Sequence, residues 1–274
     1  MSAERLAEFG EAWNRHDPAR PNRARYRRGD PRGDGYQHSR RDHRVTSWAQ
    51  RWFSDQLYGA HSRRALASNF MIAGIILAAG SSSRLGRPKQ LLTLAGEPLI
   101  RHTVLHALES ILDRVLVVID DDSGAIVKAL EGLPVQLVPN SRAVEGQSTS
   151  VVAGIRALMD AEAEGPDQVE AVVMLLGDQP TIDPAVIDAV IQHWRESNAP
   201  IVAACYLDLM GSPVLFASTL FPDLLQIQGD TGARNILRAK RQSGEVASVL
   251  VDRNAPPDVD TEEDYRRLLE TFKP

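Results

Sequence analysis

The 274-residue sequence predicts an α/β protein built on a doubly wound, mainly parallel sheet. Three observations predict it. Short apolar runs at residues 72–77, 115–119, 135–138, 171–176 and 201–206 alternate with segments whose apolar residues recur at helical spacing. Several of those runs are continuously apolar, as strands covered on both faces require. Small, cationic or acidic residues stand directly after several of the runs, where open α/β sheets gather ligands.

The composition bounds the rest. A 43% hydrophobic content is ordinary for a globular protein. No run reaches the length of a membrane span and the N-terminus lacks an apolar secretory core, so the expected compartment is the cytoplasm, without a membrane partner. One cysteine, Cys205, excludes an internal disulfide or a multi-cysteine metal site and is expected to pack as a small apolar residue. Residues 1–70 hold 14 Arg, no Lys and 8 acidic residues, a balance of +6, whereas residues 71–274 hold 17 basic and 28 acidic residues, a balance of −11. Two pieces of different composition therefore meet near Met71. The Arg-rich piece reads as a start placed too far upstream, since the first strand follows Met71 at once, or as a disordered extension. A basic arm for nucleic acid is the weaker reading, and no nucleic-acid partner is expected.

The first strand, residues 72–77, breaks into Ala78-Ala79-Gly80 and three serines, Ser81-Ser82-Ser83, before Arg84 and, after Pro88, Lys89. Small side chains let a polyphosphate approach free backbone N–H groups, and the two cations neutralise it. A Gly/Ser turn with solvated cations is the plainer alternative. It is not a Walker A loop: five residues separate Gly80 from Gly86, and Arg87-Pro88 follows where Lys-Ser/Thr is needed. After a turn at 93–97, Pro98 suits a first helical position, and Ile100, Val104, Leu108, Ile111 and Leu112 outline a helix. The strand at 115–119 ends in Asp120-Asp121-Asp122, read as acids complementing a helix dipole rather than as metal ligands.

Asn140 closes the strand at 135–138, and Gly146-Gln147-Ser148 opens a helix with Ser148 as its expected N-cap. Val151, Val152, Ile155, Leu158 and Met159 form that helix's apolar face, and Gly154 admits a close neighbour. The strand at 171–176 is the most apolar in the chain, hence central, and Asp178 stands at its carboxyl edge in Gly177-Asp178-Gln179-Pro180. The next helix already has Asp183 as N-cap and Pro184 as its first residue, so Asp178 is free to hold Mg²⁺, a hard cation that takes one or two carboxylates plus substrate oxygens. Gly211-Ser212-Pro213 reads as a turn into a strand. The stretch from Gly229 through Thr231 and Gly232 to Arg234 opens a helix whose N-terminus suits a second phosphate, or is simply a capped helix with a solvated Arg. Asp260 and Glu263 make a capping box for the last helix, whose inward residues are Tyr265, Leu268 and Leu269.

The stretch LAAGSSSRLGRPKQLL resembles the signature loop of the MobA-like nucleotidyltransferases, closest to their molybdenum cofactor cytidylyltransferase branch. The resemblance covers about residues 71–270, with the later motifs in order. It implies a Rossmann-like, GT-A-like fold and transfer of a nucleoside monophosphate from an NTP to a phosphorylated acceptor. On it, Leu77, Ala78, Ala79, Gly80, Ser81, Arg84 and Lys89 bind the triphosphate, with Asn140, Gly146 and Ser148 toward base and ribose. Asp178 and Asp260 hold Mg²⁺, and Arg84, Lys89 and Asp178 carry the catalysis. Gly211, Ser212, Pro213, Thr231, Gly232 and Arg234 lie toward the acceptor, although Ser212 stands where many relatives carry His. Two alanines after Leu77, in place of two glycines, imply CTP, and hence molybdopterin as acceptor, with transient docking to a molybdoenzyme. A guanylyltransferase and a sugar- or polyol-phosphate nucleotidyltransferase are the enzymatic alternatives; a non-catalytic cofactor chaperone is the alternative of another class.

Overall fold

The computed structural model describes residues 70–80, 85–164, 168–207 and 209–271. The Arg-rich piece up to residue 69 lies outside them, as do Ser81 and Arg84.

Strand β1 (Phe70–Leu77) runs parallel between β4 (Arg114–Ile119) and β6 (Gln168–Leu176). With β5 (Gln136–Pro139), β7 (Ile201–Cys205), β8 (Met210–Ala217) and β9 (Val246–Leu250) they form a seven-stranded sheet in the order β5-β4-β1-β6-β8-β7-β9. In this sheet β8 runs antiparallel to both of its neighbours, and β6 is central, as its unbroken apolar sequence predicts. A two-stranded hairpin, β2 (Thr93–Leu94) with β3 (Glu97–Pro98), stands apart.

Alternate side chains of each strand feed two cores. Ile72 and Ile76 of β1, Val115 and Val117 of β4, and Val173 and Leu175 of β6 face helices α1 (Leu99–Glu109), α2 (Gly124–Ala129) and α4 (Pro184–Ser197). Ala73, Ile75, Leu116, Val118 and Val172 face α3 (Gln147–Glu164) and the short α5 (Phe221–Leu224). The sheet is thus covered on both sides, which is why its strands read as solid apolar runs. Gly154 of α3 meets β1 and β4 where expected: a Cβ there would stand 2.9 Å from Ile75 and 3.3 Å from Val118.

The chain leaves β1 toward β4 and β5 and returns on the other side of β1 as β6, so the sheet's topological switch lies between β1 and β6. A third, small core of Leu92, Leu94, Leu99, Val259 and Leu268 docks the last helix α7 (Glu262–Thr271) beside that switch.

Several local expectations are corrected. Pro98 is extended and precedes α1 rather than starting it, because it pairs with Thr93 in the hairpin. Ile111 and Leu112 fall beyond the end of α1, and Ile111 is 39% exposed. Met159 and Leu269 point partly outward rather than into the core. Gly211-Ser212-Pro213 is no turn but lies within β8, since the chain reverses earlier, ahead of Met210. Among the described residues no helix is long and apolar enough to cross a membrane.

Candidate active site

Beyond the carboxyl ends of β1 and β6 the chain leaves the sheet at Ala78-Ala79-Gly80 and turns at Gly177-Asp178. The two segments are joined by Gly177 N–H donating to Leu77 O at 3.0 Å, while Ala78 N–H ties the first of them to β4 by donating to Val118 O at 2.9 Å. The Gln90 amide, buried at 3% exposure, donates to the carbonyls of Ala78 at 2.9 Å and Gly80 at 3.2 Å. These two bonds brace the segment after β1 against the Lys89–Leu91 turn.

Pro88 starts a short 3₁₀ turn, Lys89–Leu91, that carries Lys89 over this opening. Its ammonium donates to Asp178 at 2.5 Å and Asp260 at 2.6 Å, with the Lys89 and Asp178 side chains only 16% and 13% exposed. Burial works against the ammonium, but the charge and hydrogen bond of Asp178, helped by Asp260, outweigh it and push its pKa above the usual lysine value. Two carboxylates from segments 82 residues apart therefore converge on one cation. Hard oxygen donors disposed in this way suit a divalent metal as well as an ammonium.

Asp260 is brought there by α7. The helix cap is formed by Thr261 and Asp264, not by Asp260 and Glu263 as expected, and the Asp260 carboxylate turns to Lys89. Glu263 pairs with Arg267 instead. The third acid of the segment, Asp258, accepts from the Gln179 amide at 2.8 Å. Its burial and the neighbouring charge of Asp178 raise its pKa. The Asp120–Asp122 run plays no part: Asp120 accepts from Ser123 at the start of α2. No group of three or more His, Cys, Asp or Glu placed to hold a metal occurs among the described residues.

Two cavities open side by side here. One, of about 610 Å³, is polar, and its walls include Ala79, Gly80, Lys89, Gly146, Asp178 and Asp260. The other, of about 360 Å³, is mostly apolar, walled by Met174, Val214, Phe216 and Leu237 with Gly211 and Ser212 at its edge. Leu77, Leu176, Asp258 and Arg234 border both. Of the residues expected at a nucleotide, Ala79, Gly80, Lys89 and Gly146 line the polar chamber; of those expected at an acceptor, Gly211 and Ser212 line the apolar one, and Arg234, the first residue of α6 (Arg234–Gln242), borders both.

Some expected residues stand behind the walls. Ala78 and Ser148 are buried, and Ser148 is the second residue of α3 rather than its N-cap. The start of α3 is capped from across the cleft: Gln147 N–H donates to the Asp230 carboxylate at 3.3 Å and Ser148 N–H to Gly229 O at 3.1 Å. Asn140 is also buried and spends its amide on Thr149 and Ser150 at 2.9 and 3.0 Å, so it braces the loop rather than facing the cavity. Pro213, Thr231 and Gly232 line neither chamber. Their positions are scaffolding: Gly232 packs against Gln147, and Thr231 bonds Asn235 at 3.0 Å. Gln90, Gln179, Asp230 and Asp258 are site-building residues that motif reading passed over. Gln90 was detectable as a polar residue leading an apolar run, and Asp258 as the first acid of its DxD.

Residues 74–246 match the family described as the MobA-like NTP transferase domain. Purine catabolism protein PucB of Bacillus subtilis (strain 168) is 32% identical over 203 residues, spanning 71% of this chain and 94% of that protein. A probable molybdenum cofactor guanylyltransferase of Chloroflexus aggregans is 30% identical over 140 residues, half of this chain and 60% of that one. Among solved structures, Rv0371c of Mycobacterium tuberculosis H37Rv superposes with a TM-score of 0.63 at 30% identity, covering 74% of this chain and all of that one. The same protein in complex with manganese gives a TM-score of 0.60 at 29% identity, covering 73% and 99%.

Proposed function

Because the chain belongs to the MobA-like NTP transferase family and is a nucleotidyltransferase, we propose that it moves CMP from CTP to the terminal phosphate of molybdopterin, free or molybdenum-loaded, and releases pyrophosphate. One observation carries this reading. A polar chamber holding Lys89, Asp178 and Asp260 abuts an apolar chamber across Leu77, Leu176 and Arg234, so a triphosphate and a flat, phosphorylated acceptor can meet there.

The acceptor's phosphate oxygen attacks the α-phosphorus in line while the bond to the β-phosphate oxygen breaks, and pyrophosphate leaves with that electron pair. The nucleophile is already anionic and needs no general base, so rate comes from positioning and charge neutralisation. Lys89 would neutralise the departing phosphates. Arg84 is assigned the same task, Leu77, Ala79, Gly80 and Gly146 shape the nucleotide chamber, and Gly211, Ser212 and Arg234 face the acceptor.

Asp178 and Asp260 would hold a divalent ion, Mg²⁺ in this reading, and their convergence on a single cation fits that role. When bound, such an ion would neutralise charge accumulating on the phosphate oxygens. The manganese complex of the related Rv0371c supports a divalent metal. Ala78 and Ala79 support CTP through the signature loop, whereas the Chloroflexus relative's name favours GTP. The Bacillus relative's name, from purine catabolism, suits an acceptor destined for a purine-oxidising molybdoenzyme, to which transient docking is proposed.

Thermal melting with each NTP and Mg²⁺ or Mn²⁺ tests the nucleotide. A ligand at 100 times its dissociation constant adds about 2.7 kcal/mol. CTP should shift the transition most; a larger shift with GTP or UTP removes the cytidylyl assignment. Pyrophosphate release on adding molybdopterin, against sugar and polyol phosphates, tests the acceptor.

A further inference from the structure

The Lys89 ammonium lies 2.5 Å from Asp178 and 2.6 Å from Asp260, on the same two carboxylates assigned above to a divalent ion. A metal cannot take those oxygens while the ammonium holds them. Nor can it sit beside the ammonium without strong repulsion, since the Lys89 and Asp178 side chains are largely shielded from solvent. Withdrawing the ammonium alone is also unfavourable, because it leaves Asp178 facing Asp258 and Asp260 with less compensating charge. The backbone of Lys89 is fixed by the 3₁₀ turn after Pro88, but its four-carbon stem can swing. The polar chamber it borders also contains Gly80, so phosphate oxygens arriving there would give the ammonium a new partner.

We propose that Lys89 is a placeholder cation, occupying the Asp178–Asp260 pair until a nucleoside triphosphate draws it away and a divalent ion takes its place. The exchange rests on Asp178 and Asp260 being the metal ligands. It makes metal and nucleotide mutually dependent: each strengthens the binding of the other, and neither alone completes the site. Lys89 is then a positioning residue for the metal as well as a partner of the phosphates.

The test is Mn²⁺ binding to the full chain, read as loss of the free-ion paramagnetic resonance signal, with no nucleotide present. Lys89→Met should bind Mn²⁺ about tenfold or more tighter than the unsubstituted protein. Lys89→Arg, which keeps a cation there, should stay weak. Adding a CTP analogue with a non-cleavable α,β bridge should tighten Mn²⁺ binding in the unsubstituted protein, and by a smaller factor in Lys89→Met. Should the methionine variant not fold, Lys89→Gln gives the same comparison. Equal or weaker Mn²⁺ binding after removal of the ammonium overturns the exchange while leaving the ligands intact. No Mn²⁺ binding by any form, with or without nucleotide, overturns the ligand assignment itself.

Discussion

Thr261 and Asp264 cap each other at the start of the last helix, Thr261 N–H donating to the Asp264 carboxylate at 2.9 Å and Asp264 N–H to Thr261 Oγ1 at 3.2 Å. This reciprocal pair leaves Asp260, one residue earlier, to turn toward Lys89. On the proposed function, structure and chemistry are thereby divided between neighbours. Thr261→Ala should lower stability by about 1 kcal/mol while keeping turnover within about threefold. Asp260→Ala should melt close to the unsubstituted protein and lose about a hundredfold or more in turnover. Thermal melts and pyrophosphate release on both variants check this, and a Thr261→Ala enzyme as impaired as Asp260→Ala would show that the division is wrong.

Gly146 adopts φ = +115° and ψ = 168°, a region that only glycine occupies without strain. A Cβ there would also stand 2.6 Å from Gly229 O, a backbone atom with no room to yield. The loop before α3 and the loop before α6 are pressed together at that point, and both border the polar chamber. Gly146→Ala should therefore cost on the order of 1–3 kcal/mol of stability. Spreading this clasp should raise KM for the nucleotide more than it lowers kcat. An unchanged KM would detach the clasp from nucleotide binding.

The parts of the fold that were legible in the sequence are those where one physical demand dominates. Continuous apolar runs marked β1, β4 and β6 because both faces of the sheet are covered, and Gly154 marked a close helix–strand approach because nothing larger fits. Asp183 and Pro184 opened α4 as read, since capping is local chemistry. Failures occurred where a distant segment supplies what a local residue seemed to. Ser148 has the sequence context of a cap, but Gly229 and Asp230, more than 80 residues on, satisfy that helix start. Asp260 had a sufficient local explanation in Glu263, and only the docked position of α7 shows Thr261 taking the cap. Gln90 and Asp258 have roles that exist only once two loops meet. The adjacency of a polar and an apolar chamber likewise depends on long-range packing that no motif spacing encodes.

Asp183 offers a check by pH. Partial burial works to raise its pKa, but the Arg253 guanidinium at 2.7 Å and the Ala185 N–H at 2.8 Å outweigh it and hold the carboxyl below its ordinary value. A depressed folded-state pKa means the unfolded chain takes up the proton first. Its contribution is then present above the unfolded value and is lost as pH falls through the folded one. Asp183→Asn keeps an acceptor for the cap and removes the charge. It should cost about 0.5 kcal/mol near neutrality, a small figure because the pair is largely exposed. The difference between the two proteins should shrink below about pH 4. Denaturant melts across pH 3–7 read it directly, and a gap that widens on acidification reverses the sign and dismisses the Arg253 pairing as its source.

Gly154→Ala sets two effects against each other. Alanine in place of glycine inside a helix should gain up to about 1 kcal/mol from propensity. The new methyl group, however, would stand 2.9 Å from both Cγ2 and Cδ1 of Ile75 and 3.3 Å from Val118, in a core where both neighbours are fully enclosed. Cδ1 of Ile75 can rotate away, but Cγ2 is fixed to the β-carbon, so α3 must lift from the sheet or β1 must shift. Overpacking of this kind costs about 1–3 kcal/mol and outweighs the propensity gain. The variant should melt lower by a few degrees, about 2–4 °C per kcal/mol for a domain of this size. Because β1 leads directly into Ala79 and Gly80 at the polar chamber, a displaced strand should also weaken nucleotide binding. Ile75→Val removes Cδ1 but keeps the β-branch, so in that background Gly154→Ala should still destabilise. Full rescue by Ile75→Val would mean that the flexible end of Ile75, and not its branch, sets the spacing between α3 and the sheet.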